Sequence, residues 1–310
     1  MKLLDIKWMP ISQNIQLTSI HEWGSLSEFL SGLGISKNRQ KKFIHNKKLL
    51  KKRIRKKDIL SLPINLLNIN IPSPNYEGAN ITKITDNDNF FALSKPVKVH
   101  SLPLFYTDKN NLISFARSSE NNADFLNVNK DSYEKGLLFR LDYETSGLAL
   151  IARNKNFYQE FKEKIKKKKL YLAIVKGDAK DDFSYAHHIY YVGEKRSIGR
   201  VKNDAPKNSH LEGKKIIYDA SKGLSLIIVK IIEGNRHQIR IQLSTEGIPI
   251  LGDPLYGVEV GSRMYLHAFC YQFEYNGTKY KIFDENIKDL EVILNSNRIL
   301  EMAHQSLLSF

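Results

Sequence analysis

The sequence predicts an α+β protein in two parts, a small basic helical module followed by a larger domain built around a sheet. Three observations predict this. Between residues 26 and 33 the apolar side chains recur at helical spacing. Beyond residue 75 several short runs alternate in the manner of strands. Between them, Ile71-Pro72-Ser73-Pro74-Asn75 has the prolines and small polar residues of a linker. The expected domains are therefore 1–74 and 75–310, and a chain of 310 residues is long enough to give each a core.

In the first part, Leu26, Phe29, Leu30 and Leu33 mark a helix that Gly34 is placed to stop. Ser36 can cap a second helix through Lys42, Phe43 and Ile44, with Lys37, Lys41 and Lys48 turned away from Phe43. In the second part the strand-like runs are Phe90–Ser94, Leu137–Leu141, Leu148–Ala152, Leu170–Lys176 and Leu224–Ile232. Asn154 can cap a helix bearing Phe157, Tyr158, Phe161 and Ile165 on one side. Lys166 to Lys169 would then complement the negative end of its dipole. Residues 106–134 are polar and Asn-rich, and read as a loop.

Composition narrows the functional classes. A hydrophobic fraction of 42% with 15 Tyr and 15 Phe excludes wholesale disorder. No uncharged apolar run reaches the roughly 18 residues of a membrane span, and MKLLDIKWMP is not a signal peptide. A cytoplasmic protein is expected. The single cysteine, Cys270, excludes an internal disulfide and a cysteine-rich zinc site, and reads as a strand residue. His187 and His188 are adjacent, so a strand would send them to opposite faces, away from a shared metal. The net charge is +15, and residues 36 to 57 hold 12 Lys or Arg and no acid. Clustered positive charge favours a polyanionic partner, without separating RNA from DNA or an acidic membrane.

The most informative segment is Gly136-Leu-Leu-Phe-Arg-Leu-Asp142-Tyr-Glu-Thr-Ser-Gly147-Leu-Ala-Leu-Ile-Ala-Arg153, which reads as strand, polar turn, strand. A carboxylate fixed in such a turn is presented with little freedom, as a catalytic group requires. Equally, Asp142 could serve only to satisfy turn amides.

This segment resembles the R-L-D and T-S-G signature of the RluA family of pseudouridine synthases. Five further segments resemble that family in the same order: Lys95-Pro96 with Val99-His100, Lys169-Leu-Tyr171-Leu-Ala173-Ile-Val175-Lys-Gly177, His237-Gln238-Ile239-Arg240, Gly252-Asp253-Pro254-Leu-Tyr256-Gly257 and Leu266-His267-Ala268. Together they span residues 94–268. The two short helices near the N-terminus, the second strongly basic, are similar to an S4-type RNA-binding module over about residues 24–71.

The resemblance implies a largely antiparallel mixed sheet, isomerisation of uridine to pseudouridine within ribosomal or transfer RNA, and Asp142 as nucleophile. It implies no cofactor, no metal, no membrane and no obligatory protein partner. Arg240 would pair with Asp142 and hold it charged. Its other reading is a surface arginine on phosphate. Tyr171 would stack on an extruded uracil or move a proton, or else be a core aromatic. Arg140, Thr145, His237 and Gln238 would meet the substrate, and Lys37, Arg39, Lys41 and Lys42 the RNA backbone. Arg236 and Arg240 are expected on one face of a helix. Phe139 replaces the family's usual His before R-L-D, and Asn235-Arg236 its usual Arg-Thr, which puts substrate contacts in question. Two rivals are a non-enzymatic RNA-binding protein and a glycoside hydrolase using Asp142 with Glu144.

Overall fold

The computed structural model describes residues 14–19, 21–32, 35–63, 66, 72–104, 108–119, 124–129, 132, 134–192, 198–257 and 262–307, without the side chains of 14, 15, 39 and 42. Among the described residues, no helix is long and apolar enough to cross a membrane. Internal packing groups the chain into two units, 1–78 with 102–135, and 79–101 with 136–310. This grouping differs from the single cut expected after residue 74. Residues beyond 102 pack on the proline-rich stretch itself: Tyr76 meets Phe115 edge-on at 5.2 Å, Lys109 pairs with Glu77, and Arg117 donates to the Pro72 carbonyl.

In the first unit, β1 (Asn14–Thr18) pairs antiparallel with β2 (Ile59–Pro63), and between them lie α1 (Leu26–Gly32), α2 (Lys37–Phe43) and α3 (Lys47–Leu50). Leu26, Phe29 and Leu30 fill a small core with Ile35, Ile44, Ile54, Leu60 and Leu62. Gln40 is the polar pin between α1 and α2. It is buried, its Oε1 accepts from Ser27 Oγ at 2.6 Å, and its Nε2 donates to the Ile35 carbonyl at 2.9 Å. The expected stop at Gly34 lies outside the described residues. Within the run 106–134, expected as a loop, the described residues include a helix. This is α4 (Leu112–Ser119), started by Asn111, whose Oδ1 accepts from the Ser114 amide at 2.9 Å, and buried through Leu112, Ile113 and Ala116.

The second unit is built on a ten-stranded sheet. Its strands are β3 (Thr82–Asp86), β4 (Phe90–Lys95), β5 (Ser146–Ala152), β6 (Lys167–Lys176), β7 (Asp182–Val192), β8 (Ile198–Lys202), β9 (Ser209–Asp219), β10 (Leu224–Ile231), β11 (Leu266–Tyr275) and β12 (Thr278–Phe283). The order is β3-β4-β5-β11-β6-β10-β9-β7-β8, with β12 added along β11. Among the described residues every pairing is antiparallel except β11 with β5, so the expected mixed, largely antiparallel α+β fold is present.

Leu137–Leu141, expected as a strand, forms only a bridge from Leu137 to Ile151. Leu137, Leu138 and Leu141 are buried and Phe139 partly so, but the backbone leaves the ladder to reach the next turn. The helix capped by Asn154 is α5 (Lys155–Glu163), with the Asn154 Oδ1 accepting from the Phe157 amide at 2.9 Å. Lys167 to Lys169 belong to β6 rather than to that helix, yet Lys167 Nζ donates to the Phe161 and Lys162 carbonyls at its C-terminal end. Leu170, Leu172 and Ile174 of β6 face a core closed by α7 (Lys288–Leu294) and α8 (Ile299–Ser306), through Leu290, Leu294, Ile299 and Ala303. Tyr171 therefore points to the opposite face of the sheet.

The parallel contact is short, His267 with Ser146 and Ala268 with Gly147. Gly147 has φ +115°, and a Cβ there would lie 2.4 Å from the Ala268 carbonyl oxygen and 2.5 Å from its amide nitrogen. Gly147→Ala is expected to cost more than about 1 kcal/mol in stability, read as a lower urea midpoint. An unchanged midpoint would mean that the strands do not approach this closely.

Candidate active site

The segment carrying Asp142 is held from both sides. Ser101 Oγ donates to the Leu141 carbonyl at 2.7 Å and accepts from the Leu141 amide at 2.9 Å. The Lys98 amide donates to the Tyr143 carbonyl at 2.8 Å, and the His100 and Tyr143 rings stack at 4.4 Å. The loop after β4 thus grips residues 141 and 143, on either side of the carboxylate. Lys95 fixes that loop, its buried Nζ donating to the Pro96 and Val99 carbonyls at 2.8 Å each. Burial draws its pKa down to about 7, against the opposing pull of Asp142 and Glu144. On the other side, Ser146 Oγ accepts from Arg263 Nη2 at 2.9 Å and lies 3.0 Å from His267 Nδ1. His267 Nε2 donates to the Asp284 carbonyl at 2.9 Å.

Asp142 faces Arg240. Arg240 lies on α6 (Gln238–Thr245), is 1% exposed, and uses all three edges of its guanidinium. Nε and Nη2 each donate to an Asp253 oxygen at 2.8 Å, while Nη1 donates to Asp142 Oδ2 at 3.0 Å. Nη1 also lies 3.6 Å from Glu144 Oε2. Burial works against the charged guanidinium, but the hydrogen bonds and charge of Asp253, then of Asp142, hold its pKa above the ordinary arginine value. Asp253 in turn accepts from the Leu255 and Tyr256 amides at 2.9 and 3.2 Å. A flat fork is needed to serve two carboxylates at once. The Asp142 side chain keeps 28% of its surface exposed, and no described protein group hydrogen-bonds its Oδ1. One oxygen is anchored and the other is open.

Tyr171 pairs with Ala268 of β11, and Ala268 pairs with Gly147 of β5, so the aromatic lies on one line across the sheet with the Asp142 turn. Tyr171 is 7% exposed. Burial, with a contribution from the Asp142 charge, pushes its hydroxyl up to about 12, so it keeps its proton at neutral pH. The His237 Nε2 lies 3.8 Å from Asp142 Oδ2. A fixed carboxylate, a buried cation behind it and a protonated phenol can attack or deprotonate a sugar carbon while a base is retained nearby.

The family model described as RNA pseudouridylate synthase matches residues 89–245, just over half of the chain. The chain belongs to the RNA pseudouridylate synthase family. Among curated relatives, ribosomal large subunit pseudouridine synthase D of Borreliella burgdorferi is 28% identical over 226 residues, covering 70% of this chain and 68% of the relative. Ribosomal large subunit pseudouridine synthase C of Rickettsia prowazekii is 32% identical over 203 residues, covering 60% of each. Human RNA pseudouridylate synthase domain containing 1 shares the fold, with a TM-score of 0.54 at 20% identity, over 67% of this chain and 84% of that one.

Within this pseudouridine synthase the expected site residues separate into groups. Asp142 and Arg240 meet, with His237 beside them. Thr145 and Gln238, expected at the substrate, are buried at 3% and 2% and belong to the framework. The Thr145 amide closes the Asp142 turn at 3.1 Å. Gln238 Oε1 accepts from the Gly234 and Asn235 amides, and Nε2 donates to the His210 carbonyl. Arg140 is exposed. Arg236 is not on the helix of Arg240, because α6 begins at Gln238 after His237 adopts a left-handed conformation. Lys37 and Lys41 are exposed on α2 in the other unit, and the side chains of Arg39 and Lys42 lie outside the described residues.

Phe139 replaces a polar contact by a different one. Its ring meets Phe161 and Tyr271 edge-on at 5.4 and 5.6 Å, and Lys169 Nζ sits 4.5 Å from its centre. Lys169 then donates to the Glu233 carbonyl in the turn that leads to His237. Sequence reasoning quoted Asp253 and Tyr256 as motif letters but gave them no task. The signal was there, since a buried arginine serving a carboxylate needs further acceptors. Among the described residues, no cluster of side chains could hold a metal ion.

Proposed function

We propose that this chain isomerises uridine to pseudouridine in ribosomal RNA in the cytoplasm, with Asp142 as nucleophile, Arg240 as its partner and Tyr171 beside the extruded base. The observation that carries the reading is the accessible Asp142 carboxylate held at 3.0 Å by a buried arginine that is itself clamped by Asp253. An Asp142 oxygen can trap C1′ as an ester or remove the 2′ proton, and both routes need the same ionised, oriented group. The curated relatives named for the ribosomal large subunit favour that RNA over transfer RNA. Pseudouridine mapping of total RNA from cells with and without this gene tests it. Loss of a mark in ribosomal RNA is the expected result. An unchanged ribosomal map, or a loss confined to transfer RNA, overturns the substrate.

The basic helical module contributes affinity in this reading. Its order of helices α1, α2 and the short α3 followed by β2, with Lys37 and Lys41 exposed on α2, resembles an S4 module and fits contact with phosphates. Replacing both lysines by Ala is expected to weaken RNA binding and lower the slope of log affinity against log salt by roughly 1.5. Filter binding at several salt concentrations measures it. An unchanged slope removes α2 from the interface.

A further inference from the structure

The backbone at His237 is unusual for its residue type. It adopts φ 56° and ψ 20° at the start of α6, and its side chain makes no capping hydrogen bond. A left-handed conformation in a residue other than glycine costs of order 1 kcal/mol and persists where the surroundings impose it. Here the surroundings aim the ring. Nδ1 lies 3.0 Å from the Tyr256 hydroxyl, and Nε2 lies 3.8 Å from Asp142 Oδ2.

We infer that Tyr256 is a positioning residue that fixes His237 in the tautomer with its proton on Nε2, so that this N–H and Arg240 converge on one oxygen of Asp142. The inference rests on the proposed role of Asp142. A tyrosine hydroxyl has one proton to give. The Tyr256 oxygen already accepts from the Gly199 amide at 2.9 Å, so the hydroxyl proton is directed to Nδ1. The opposite tautomer would turn an Nε2 lone pair towards a carboxylate, which is electrostatically unfavourable. Burial holds the imidazole below its ordinary pKa. Asp142 and Asp253 pull it upward and Arg240 and Arg236 push it down, leaving a neutral ring with a single N–H.

Tyr256 is itself immobilised. Its amide donates to Asp253 Oδ1, its carbonyl accepts from Ser244 Oγ at 2.8 Å, and the Arg240 guanidinium lies 5.4 Å from its ring centre. The loop around Asp253 and Tyr256 thus orients both groups that face Asp142 Oδ2, one through each residue. Oδ1, which no described group hydrogen-bonds, is the oxygen offered to the sugar in the proposed reaction.

The test is nitrogen-15 NMR of the histidine side chains in the full chain, with His237 assigned by its loss in His237→Gln. The wild type is expected to carry the His237 proton on Nε2. Tyr256→Phe keeps the ring under Arg240 and removes only the hydroxyl. It is expected to raise the Nδ1–H fraction above that of the wild type, with the Asp142 charge alone left to favour Nε2–H, and to slow single-turnover isomerisation about tenfold, with RNA affinity unchanged. A wild-type proton on Nδ1, or on both nitrogens, overturns the inference. So does a Tyr256→Phe protein whose tautomer or turnover is unaltered. The wild-type spectrum needs no variant to fold and no activity. Absence of isomerisation by the wild type would instead sink the proposed function while leaving the tautomer readable.

Discussion

Asp142→Asn is expected to abolish isomerisation, with single-turnover rates about 10³-fold or more below wild type, while folding and RNA affinity stay close to normal. The amide nearly matches the carboxylate in size and can still accept from Arg240 Nη1, so the turn held by Ser101 and Lys98 has no reason to move. What it loses is the anionic oxygen that either route to the sugar requires. Stability is spared because Asp142 is 28% exposed and Arg240 retains both bonds to Asp253. Pseudouridine formation on a radiolabelled transcript measures the rate, and a binding isotherm with the same transcript checks affinity. A variant with wild-type turnover would remove Asp142 from the reaction. A variant that failed to bind RNA would point to a binding rather than a chemical role.

Arg240→Ala is expected to lower stability by about 3–5 kcal/mol, the range for breaking a buried ion pair from one side. Asp253 is 2% exposed, and without the guanidinium its charge has only two backbone amides to meet it. Urea denaturation measures the loss, and pH gives it a signature. In the wild type, burial raises the Asp253 pKa, but the hydrogen bonds and charge of Arg240 outweigh it and leave the value lowered. The stability this contributes is present above the unfolded carboxyl value of about 3.9 and is lost as pH falls through the lower folded value. In the variant the unpaired, buried Asp253 prefers its proton, so acid favours the folded form. The gap between the two proteins should therefore begin to narrow above about pH 4, as the variant's Asp253 takes up its proton, and narrow further below it, as the wild type loses its own contribution. A constant gap down to acid pH would show that the loss comes from packing alone.

Much of this arrangement was legible in the sequence, and the part that was not has a physical reason. The alternation of β4, β5, β6 and β10 and the Asn154 cap could be read directly, since each is set by neighbours within a few residues. Leu137–Leu141 failed because alternation reports burial, whereas a strand also needs a ladder partner that periodicity does not specify. In the run around α4, the Asn111 cap and the spacing of Leu112, Ile113 and Ala116 were readable, but the surrounding asparagines masked them. The pairing of Asp142 with Arg240 followed from resemblance, being 98 residues apart in sequence. Thr145 and Gln238 were given to the substrate because motif letters mark importance without saying which way a side chain points. The tasks of Asp253 and Tyr256 depend on contacts between β8, α6 and the loop after it, which only the folded chain reveals.

The parallel pairing of β11 with β5 has a consequence for how the protein comes into being. β11, which lies between β5 and β6 in the sheet, follows both of them in the chain. While the chain is still emerging, the piece bearing Asp142 and the piece bearing Tyr171 have no shared backbone neighbour, and the sheet exists as two fragments awaiting a keystone. The register of the Asp142 turn against Tyr171 therefore depends on residues 266–268, and a chain halted before them would hold the two on strands that share no ladder.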